Sequence, residues 1–112
     1  MSKRDNAPAA DDVRALTTIG LTKHQARCYA FLLGQTASFS AGELAQELKT
    51  SRTYLYPLLE DLRIKGFVEK WQIIGSAQYR AVPLQQALVA YTDYQRQQVR
   101  QLLVKEQHRT ND

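Results

Sequence analysis

The residues from Ser51 to Tyr56 bring together several side chains that can make directional polar contacts. They provide two hydroxyls, one guanidinium group and two phenols, and a helical pattern of leucines begins among them. In the first turn of a helix these groups would stand at its positive end, where backbone amides have no partner within the helix. Such a surface can bind phosphate oxygens and base edges of a duplex. The sequence therefore predicts DNA contacts from Ser51, Arg52, Thr53, Tyr54 and Tyr56.

No other group of residues predicts catalysis or a metal site. His24 and His108 are far apart, and neither has a cysteine at ligand spacing. Cys28 is the only cysteine, so it cannot form a disulfide within the chain, and its apolar neighbours indicate a buried thiol. The chain has no glycine-rich phosphate loop and no clear Ser/His/Asp or Cys/His arrangement. We therefore expect no enzyme activity, no catalytic residue, no metal and no cofactor.

Composition and charge are ordinary for a globular protein, with a mild preference for polyanions. The 112 residues suit one small domain with a protruding element, and 44% of them are hydrophobic. The 15 basic and 11 acidic side chains give a formal net charge of +4, which is compatible with nucleic acid as a partner. The apolar runs are too short to cross a bilayer and no signal peptide is recognisable. We expect a cytoplasmic protein with no membrane partner.

Three helices are predicted ahead of the polar segment. Residues 1–11 are polar and without period, which predicts a mobile arm. A short helix follows from Asp12, and Gly20 stops it. The next two helices each begin with a capping box. The paired residues of the two boxes are Thr22 with Gln25, and Ser40 with Glu43.

The helix that carries the polar segment has a leucine face and an internal proline. The leucines at positions 55, 58, 59 and 62 share one face, and Gly66 ends the helix. Docking of this face turns Thr53, Pro57 and Glu60 outward. Pro57 removes an amide, so we expect either a kinked helix or a helix that begins only at Pro57, and the unbroken leucine phase favours the kink. Glu60 and Asp61 would repel phosphate, so this half should stand away from DNA.

A β-hairpin is predicted next, from "FVEKWQII" and "AQYRAV". Gly75-Ser76 suits a two-residue type II′ turn, which would oppose Ile74 to Ala77 and Trp71 to Arg80. A cation–π contact between Trp71 and Arg80 would follow. Arg80 and Lys70 are also candidates for phosphate contacts, and for both residues the structural role and the DNA-binding role carry equal weight.

A long helix should begin at Pro83, because no later glycine or proline stops it; its length would be ~25 residues. Its apolar positions Leu84, Leu88, Tyr91 and Leu102 share a seam and predict dimerisation through a parallel or antiparallel coiled coil. Three polar residues, Gln95, Gln98 and Lys105, interrupt this heptad pattern.

The order of elements is that of a winged helix-turn-helix, in which the second helix of the motif enters the major groove. We therefore expect a mainly α fold with a small β-hairpin, followed by a long C-terminal helix. The predicted organisation is a DNA-binding domain over residues 12–82 and a dimerisation helix and tail over residues 83–112.

Several blocks resemble the DNA-binding domain of the TrmB-like transcriptional regulators, which are best known from archaea. They are "GLTKHQARCYAFLL", "SAGELAQEL", "SRTYLYPLLEDLRIKGFVEK" and "YRAVPLQQAL". The resemblance implies that Arg52, Thr53, Tyr54 and Tyr56 contact DNA and that the helix from Pro83 forms a coiled-coil dimer contact.

This chain departs from the family pattern in three ways. It has Pro57 in the recognition helix, its wing tip "IIGSAQ" lacks basic residues, and it ends at Asp112 without room for an effector domain. A small-molecule effector is therefore not indicated.

The predicted function is that of a transcriptional regulator, most simply a repressor, which binds specific double-stranded DNA as a homodimer. The alternative is a winged helix that binds a partner protein and not specific DNA. Exposed tyrosines beside Pro57, together with Glu60 and Asp61, would suit such an interface.

Overall fold

The computed structural model describes residues 10–110, in which the chain forms five α-helices and one two-stranded antiparallel hairpin. The predicted mobile arm lies outside these residues, except that Ala10 and Asp11 belong to the first helix. The fold is mainly α with a hairpin and a long last helix, as predicted. The elements are α1 Ala10–Thr18, α2 Lys23–Leu33, α3 Ala41–Leu48, α4 Arg52–Lys65, β1 Val68–Ile73, β2 Ser76–Ala81 and α5 Leu84–Thr110.

Both predicted capping boxes form, and they fix where α2 and α3 begin. Thr22 Oγ1 accepts a hydrogen bond from Gln25 N at 3.1 Å, and Gln25 Oε1 accepts one from Thr22 N at 3.0 Å. Ser40 and Glu43 make the same reciprocal pair at the start of α3. At the other end of α3, Lys49 takes a left-handed conformation with φ of 57° and turns the chain into α4. The tight α3–turn–α4 unit is therefore set by local chemistry.

Helix α4 is continuous through Pro57, so the alternative in which it begins at that proline is wrong. The leucine face is buried as predicted, with exposed fractions of 9% or less at all four positions. Pro57 lies on the exposed side, as does Thr53, whose carbonyl would have accepted the missing hydrogen bond. Water can bind that carbonyl instead, which explains why the proline is tolerated inside the helix.

The hairpin forms, but the predicted turn and register are wrong. The observed pairs include Ile73 with Ser76 and Trp71 with Gln78, so the turn residues are Ile74 and Gly75. Gly75 has φ of 75° and occupies the second position of the turn, where a type II turn requires positive φ. Glycine suits the first position of a type II′ turn and the second position of a type II turn. The presence of Gly75 therefore does not by itself decide the register.

The register error does not change which face each side chain occupies, because every β1 residue is paired two positions away from the predicted partner. Trp71 and Arg80 are thus diagonal neighbours on one face, and the guanidinium carbon lies 5.1 Å from the indole ring centroid. The predicted cation–π contact is confirmed. Tyr79 on the opposite face also pairs with Phe39 through two backbone hydrogen bonds, a bridge that attaches the hairpin to the α2–α3 loop.

An aromatic cluster around Phe67 joins the domain to α5. Phe67 is fully buried, and its ring lies 5.0 Å from that of Tyr29 in α2 and 5.1 Å from that of Tyr91 in α5. The Tyr29 hydroxyl donates to the Val82 carbonyl at 2.7 Å, and the Tyr91 hydroxyl donates to the Ile19 carbonyl at 2.9 Å. These contacts hold only the first part of α5, since residues 95–109 are all exposed. None of the helices within residues 10–110 is long and apolar enough to span a membrane.

Replacement of Gly66 by alanine should destabilise the domain strongly. Gly66 has φ of 97°, and a Cβ there would lie 2.5 Å from the Cβ of Ala90 in α5. We expect Gly66→Ala to lower the free energy of unfolding by roughly 2–4 kcal/mol through backbone strain and displacement of α5. Urea unfolding followed by circular dichroism measures the loss.

The matched control is Gly75→Ala at the hairpin turn. Its φ is also positive, but nothing lies within 4 Å of the added Cβ. This variant should therefore lower the free energy of unfolding by only about 1 kcal/mol, through backbone strain alone. Equal losses for the two variants would contradict close packing of α5 against Gly66.

Candidate nucleic-acid interface

The predicted contact residues of α4 all lie on the exposed surface at the start of the helix. Ser51 is the N-cap, and its Oγ accepts a hydrogen bond from Tyr54 N at 3.1 Å. Arg52, Thr53, Tyr54 and Tyr56 are exposed, the two tyrosines by 46% and 49%. The first amides of the helix point out of this end, so the backbone adds positive potential to the surface.

The two tyrosines lie on different flanks of α4. Tyr54 lies on the α2 side, where its hydroxyl is hydrogen-bonded to His24 Nδ1 and the two rings meet edge to face, 5.5 Å apart. Tyr56 lies on the hairpin side and shares a groove with Arg52, the α3 N-terminus at Ser40 and the first residue of β2, Ser76. The polar segment therefore offers hydrogen-bonding groups to both sides of the helix.

The carboxylates in the second half of α4 are paired with cations within the helix. Arg63 donates two hydrogen bonds to Glu60, one of them at 3.0 Å, and these hold the pKa of Glu60 below its usual value. Burial acts to raise the pKa of Asp61, but hydrogen bonds from Lys65 and Gln25 outweigh it and leave the pKa lowered. The predicted repulsion of phosphate is therefore weakened, because each negative charge has a positive neighbour one turn away.

Lys70 and Arg80 are not brought together by the hairpin. Lys70 lies opposite Tyr79 on the face turned toward α4, and its charge helps to lower the pKa of Glu60. Arg80 lies on the other face, over Trp71. The turn of the hairpin is apolar, and its Ile74 is fully exposed.

The four predicted dimerisation residues do not form one exposed seam. Tyr91 is 6% exposed and belongs to the aromatic cluster around Phe67. Leu84 and Leu88 are partly exposed near the domain, and Leu102 is 64% exposed on the projecting part of α5. Sequence reasoning missed the other exposed apolar residues beyond the domain, which are Val99, Leu103 and Val104.

Sequence reasoning also missed His24 as part of this region. Its position just inside the α2 capping box was visible, but its contact with Tyr54 depends on how α2 crosses α4, which a single sequence does not specify. Among residues 10–110 no group of His, Cys, Asp and Glu side chains is arranged to hold a metal ion.

Taken together, α2, α3, the tight turn, α4 and the hairpin make a winged helix-turn-helix fold, in which α4 occupies the position of the recognition helix. The chain belongs to the TrmB family of sugar-specific transcriptional regulators, whose sequence profile matches residues 16–85. The matched region runs from α1 to the start of α5 and includes every predicted DNA-binding residue. A search of curated proteins found no significant match.

Solved structures of regulators have the same fold. One transcriptional regulator is 20% identical, with 89% of this chain and 67% of that chain aligned and a TM-score of 0.69. TrmBL2, described as an archaeal chromatin protein with a novel mode of DNA binding, is 23% identical, with 98% and 40% aligned and a TM-score of 0.66. A variant of MepR from Staphylococcus aureus, bound to an oligodeoxyribonucleotide, is 15% identical, with 90% and 81% aligned and a TM-score of 0.59. This chain thus spans less than half of TrmBL2, and these identities support the shared fold alone.

The thiol of Cys28 should be unreactive in the folded protein. Cys28 is fully buried, and burial raises its pKa to about 12. At pH 8 almost no thiolate is present, so labelling with iodoacetamide should be negligible without denaturant and should become complete in urea. Rapid labelling of the folded protein, measured by mass spectrometry, would contradict the packing of α2.

Proposed function

We propose that this chain is a transcription regulator that binds specific double-stranded DNA with the N-terminal half of α4 in the major groove. One observation carries the proposal. Arg52, Thr53 and Tyr56 are exposed at the positive end of a helix whose opposite face is buried. The major groove is about 12 Å wide and admits one helix. Family membership supports the proposal, as does the fold shared with MepR, which is bound to an oligodeoxyribonucleotide in its structure.

Ser51, Arg52, Thr53, Tyr54 and Tyr56 are the proposed contact residues of α4. The paired carboxylates further along α4 offer the DNA backbone no net positive charge, which favours contacts from the first half of the helix. Of the two cations in the hairpin, Lys70 is the better candidate for a phosphate contact, because it lies on the face turned toward α4. The Arg80 guanidinium is already stacked on Trp71.

We also propose that the protein acts as a homodimer through α5. The DNA-binding unit would then be residues 12–82, and the dimerisation unit residues 83–112. The exposed part of α5 carries Val99, Leu102 and Leu103 on adjoining positions of one side, and a second copy of the helix would cover them. Leu84 and Leu88 would extend this interface toward the domain.

A two-fold dimer would occupy a roughly palindromic operator with half-sites about 10 bp, or a multiple of that, apart. Repression is the simpler outcome, because a protein that occupies a promoter needs no contact with the polymerase to block it. Transcription in vitro from the bound promoter tests the sign of regulation, and stimulation would contradict repression.

The alternative function, a protein-binding winged helix, is favoured by one observation. Pro57 and Ile64 are both exposed on the outward side of α4, and Glu60 lies between them, so that side offers a mixed apolar and acidic surface. The salt dependence of the binding affinity distinguishes the two functions. Phosphate contacts release counterions, so DNA binding weakens as salt rises, whereas binding to a protein through Pro57 and Ile64 should change little.

Arg52→Ala should weaken duplex binding by about 1–3 kcal/mol without unfolding the protein, because Arg52 is exposed and has no role in the core. Fluorescence anisotropy with the DNA upstream of the gene measures the affinity. The control is Arg96→Ala on α5, which removes the same charge beside Asp93 and should leave binding unchanged. Equal affinities for Arg52→Ala and wild type would remove Arg52 from the interface.

Leu102→Asp should convert the dimer into a monomer, because a charge would be buried between two copies of α5. Sedimentation at micromolar concentration measures the mass. The matched control is Val104→Asp on the same helix, which is also exposed, at 47% against 64%, but lies two residues beyond Leu102 and so on nearly the opposite side of α5. A monomeric wild-type protein, or a Leu102→Asp dimer, would contradict the proposed interface.

A further inference from the structure

A cationic cleft lies beside α4, on its α2 side. Its polar lining comes from three elements, and the leucines at positions 48, 55 and 58 form the apolar part. We call it the α2-side cleft. The cleft has a volume of about 220 Å³, far more than the ~15 Å³ that one water molecule needs. Its polar residues are His24 and Arg27 of α2, Lys49 and Thr50 of the α3–α4 turn, and Tyr54 of α4.

The chemistry of this lining suits a phosphate group. Arg27 can offer two parallel N–H donors to phosphate oxygens, and Lys49 adds a compact positive charge. Thr50 and Tyr54 contribute hydroxyls, and the hydrogen bond between Tyr54 and His24 holds the phenol at the edge of the cleft. No acidic residue lines it. The leucines lower the local dielectric, which strengthens the attraction of the cations for an anion.

The position of the cleft relates it to the recognition helix. A helix with its side chains is about 10–12 Å across and so nearly fills the major groove. The two sugar-phosphate backbones must then pass along the two flanks of α4. One flank carries Arg52 and Tyr56 beside the hairpin, and the other carries Tyr54 and the α2-side cleft.

We propose that the α2-side cleft binds a backbone phosphate of the duplex, with Arg27 and Lys49 as its ligands. This inference rests on the proposed DNA binding and adds a second anchoring flank to it. His24, Arg27 and Lys49 are all exposed, so a phosphate that is part of the DNA backbone can contact them. Pockets for free small molecules instead bury most of the ligand surface.

The test removes both cations and measures binding at several salt concentrations. The variant is Arg27→Ala/Lys49→Asn, with asparagine chosen because it tolerates the left-handed conformation of residue 49. Binding to the upstream duplex and to a scrambled duplex should weaken by a similar factor, roughly tenfold or more. The slope of log K against log salt should become shallower by about 0.9, because the cleft holds one phosphate and each phosphate contact contributes about 0.9.

The control is Arg14→Ala/Lys105→Gln, which removes two charges from α1 and α5, away from the cleft. It should keep the wild-type slope, and the melting temperatures of both variants show whether each is folded. A folded cleft variant with the wild-type slope and affinity would overturn the inference and leave the proposed function intact. Absence of salt-sensitive binding by the wild-type protein would instead overturn the proposed function.

A titration of the DNA-free protein with inorganic phosphate, followed by calorimetry, tests whether the cleft binds a free phosphate compound instead of the DNA backbone. If the cleft variant loses phosphate binding but keeps wild-type DNA binding, the cleft serves a free phosphate compound and the assignment to the DNA backbone is wrong. If DNA binding weakens as predicted, the assignment to the backbone stands.

Discussion

The packing of Phe67 between Tyr29 and Tyr91 is the contact on which the arrangement of the whole chain depends. Phe67 is the residue at which α4 has ended and the hairpin begins, and its ring meets α2 on one side and α5 on the other. Each tyrosine also donates its hydroxyl to a distant carbonyl, Val82 or Ile19. One fully buried ring therefore fixes the recognition helix, the wing and the long helix relative to one another.

This rigid centre explains how the outer surface can be polar without loss of structure. The leucine face of α4 is fully used for packing, so the first turn is free to present Arg52, Thr53 and Tyr56 to solvent. On the two flanks, Tyr54 is oriented by His24, and Tyr56 lines the groove near Ser76. Ala90 of α5 packs directly against Gly66 at the end of α4. In a dimer formed through α5, this contact would therefore set how the two copies of α4 are oriented relative to each other.

Local chemistry made much of the fold predictable from the sequence. The capping boxes at Thr22 and Ser40, the leucine periodicity of α4 and the glycine stop at Gly66 are short-range signals, and each formed as expected. The hairpin register was not predictable, because Gly75 fits two turn types and the predicted and observed registers place every side chain on the same face. The burial of Tyr91 and the contact of His24 with Tyr54 were also hidden, since they depend on helix crossings.

Fluorescence anisotropy of the wild-type protein on the DNA upstream of its gene and on a scrambled duplex, each at several salt concentrations, is the most direct test of this account. Binding that prefers the upstream fragment and weakens steeply with salt is the predicted result, because the proposed interface consists of cations and hydroxyls at a helix N-terminus. Absence of binding to either duplex at low salt would contradict the account and favour the protein-binding function of the exposed side of α4.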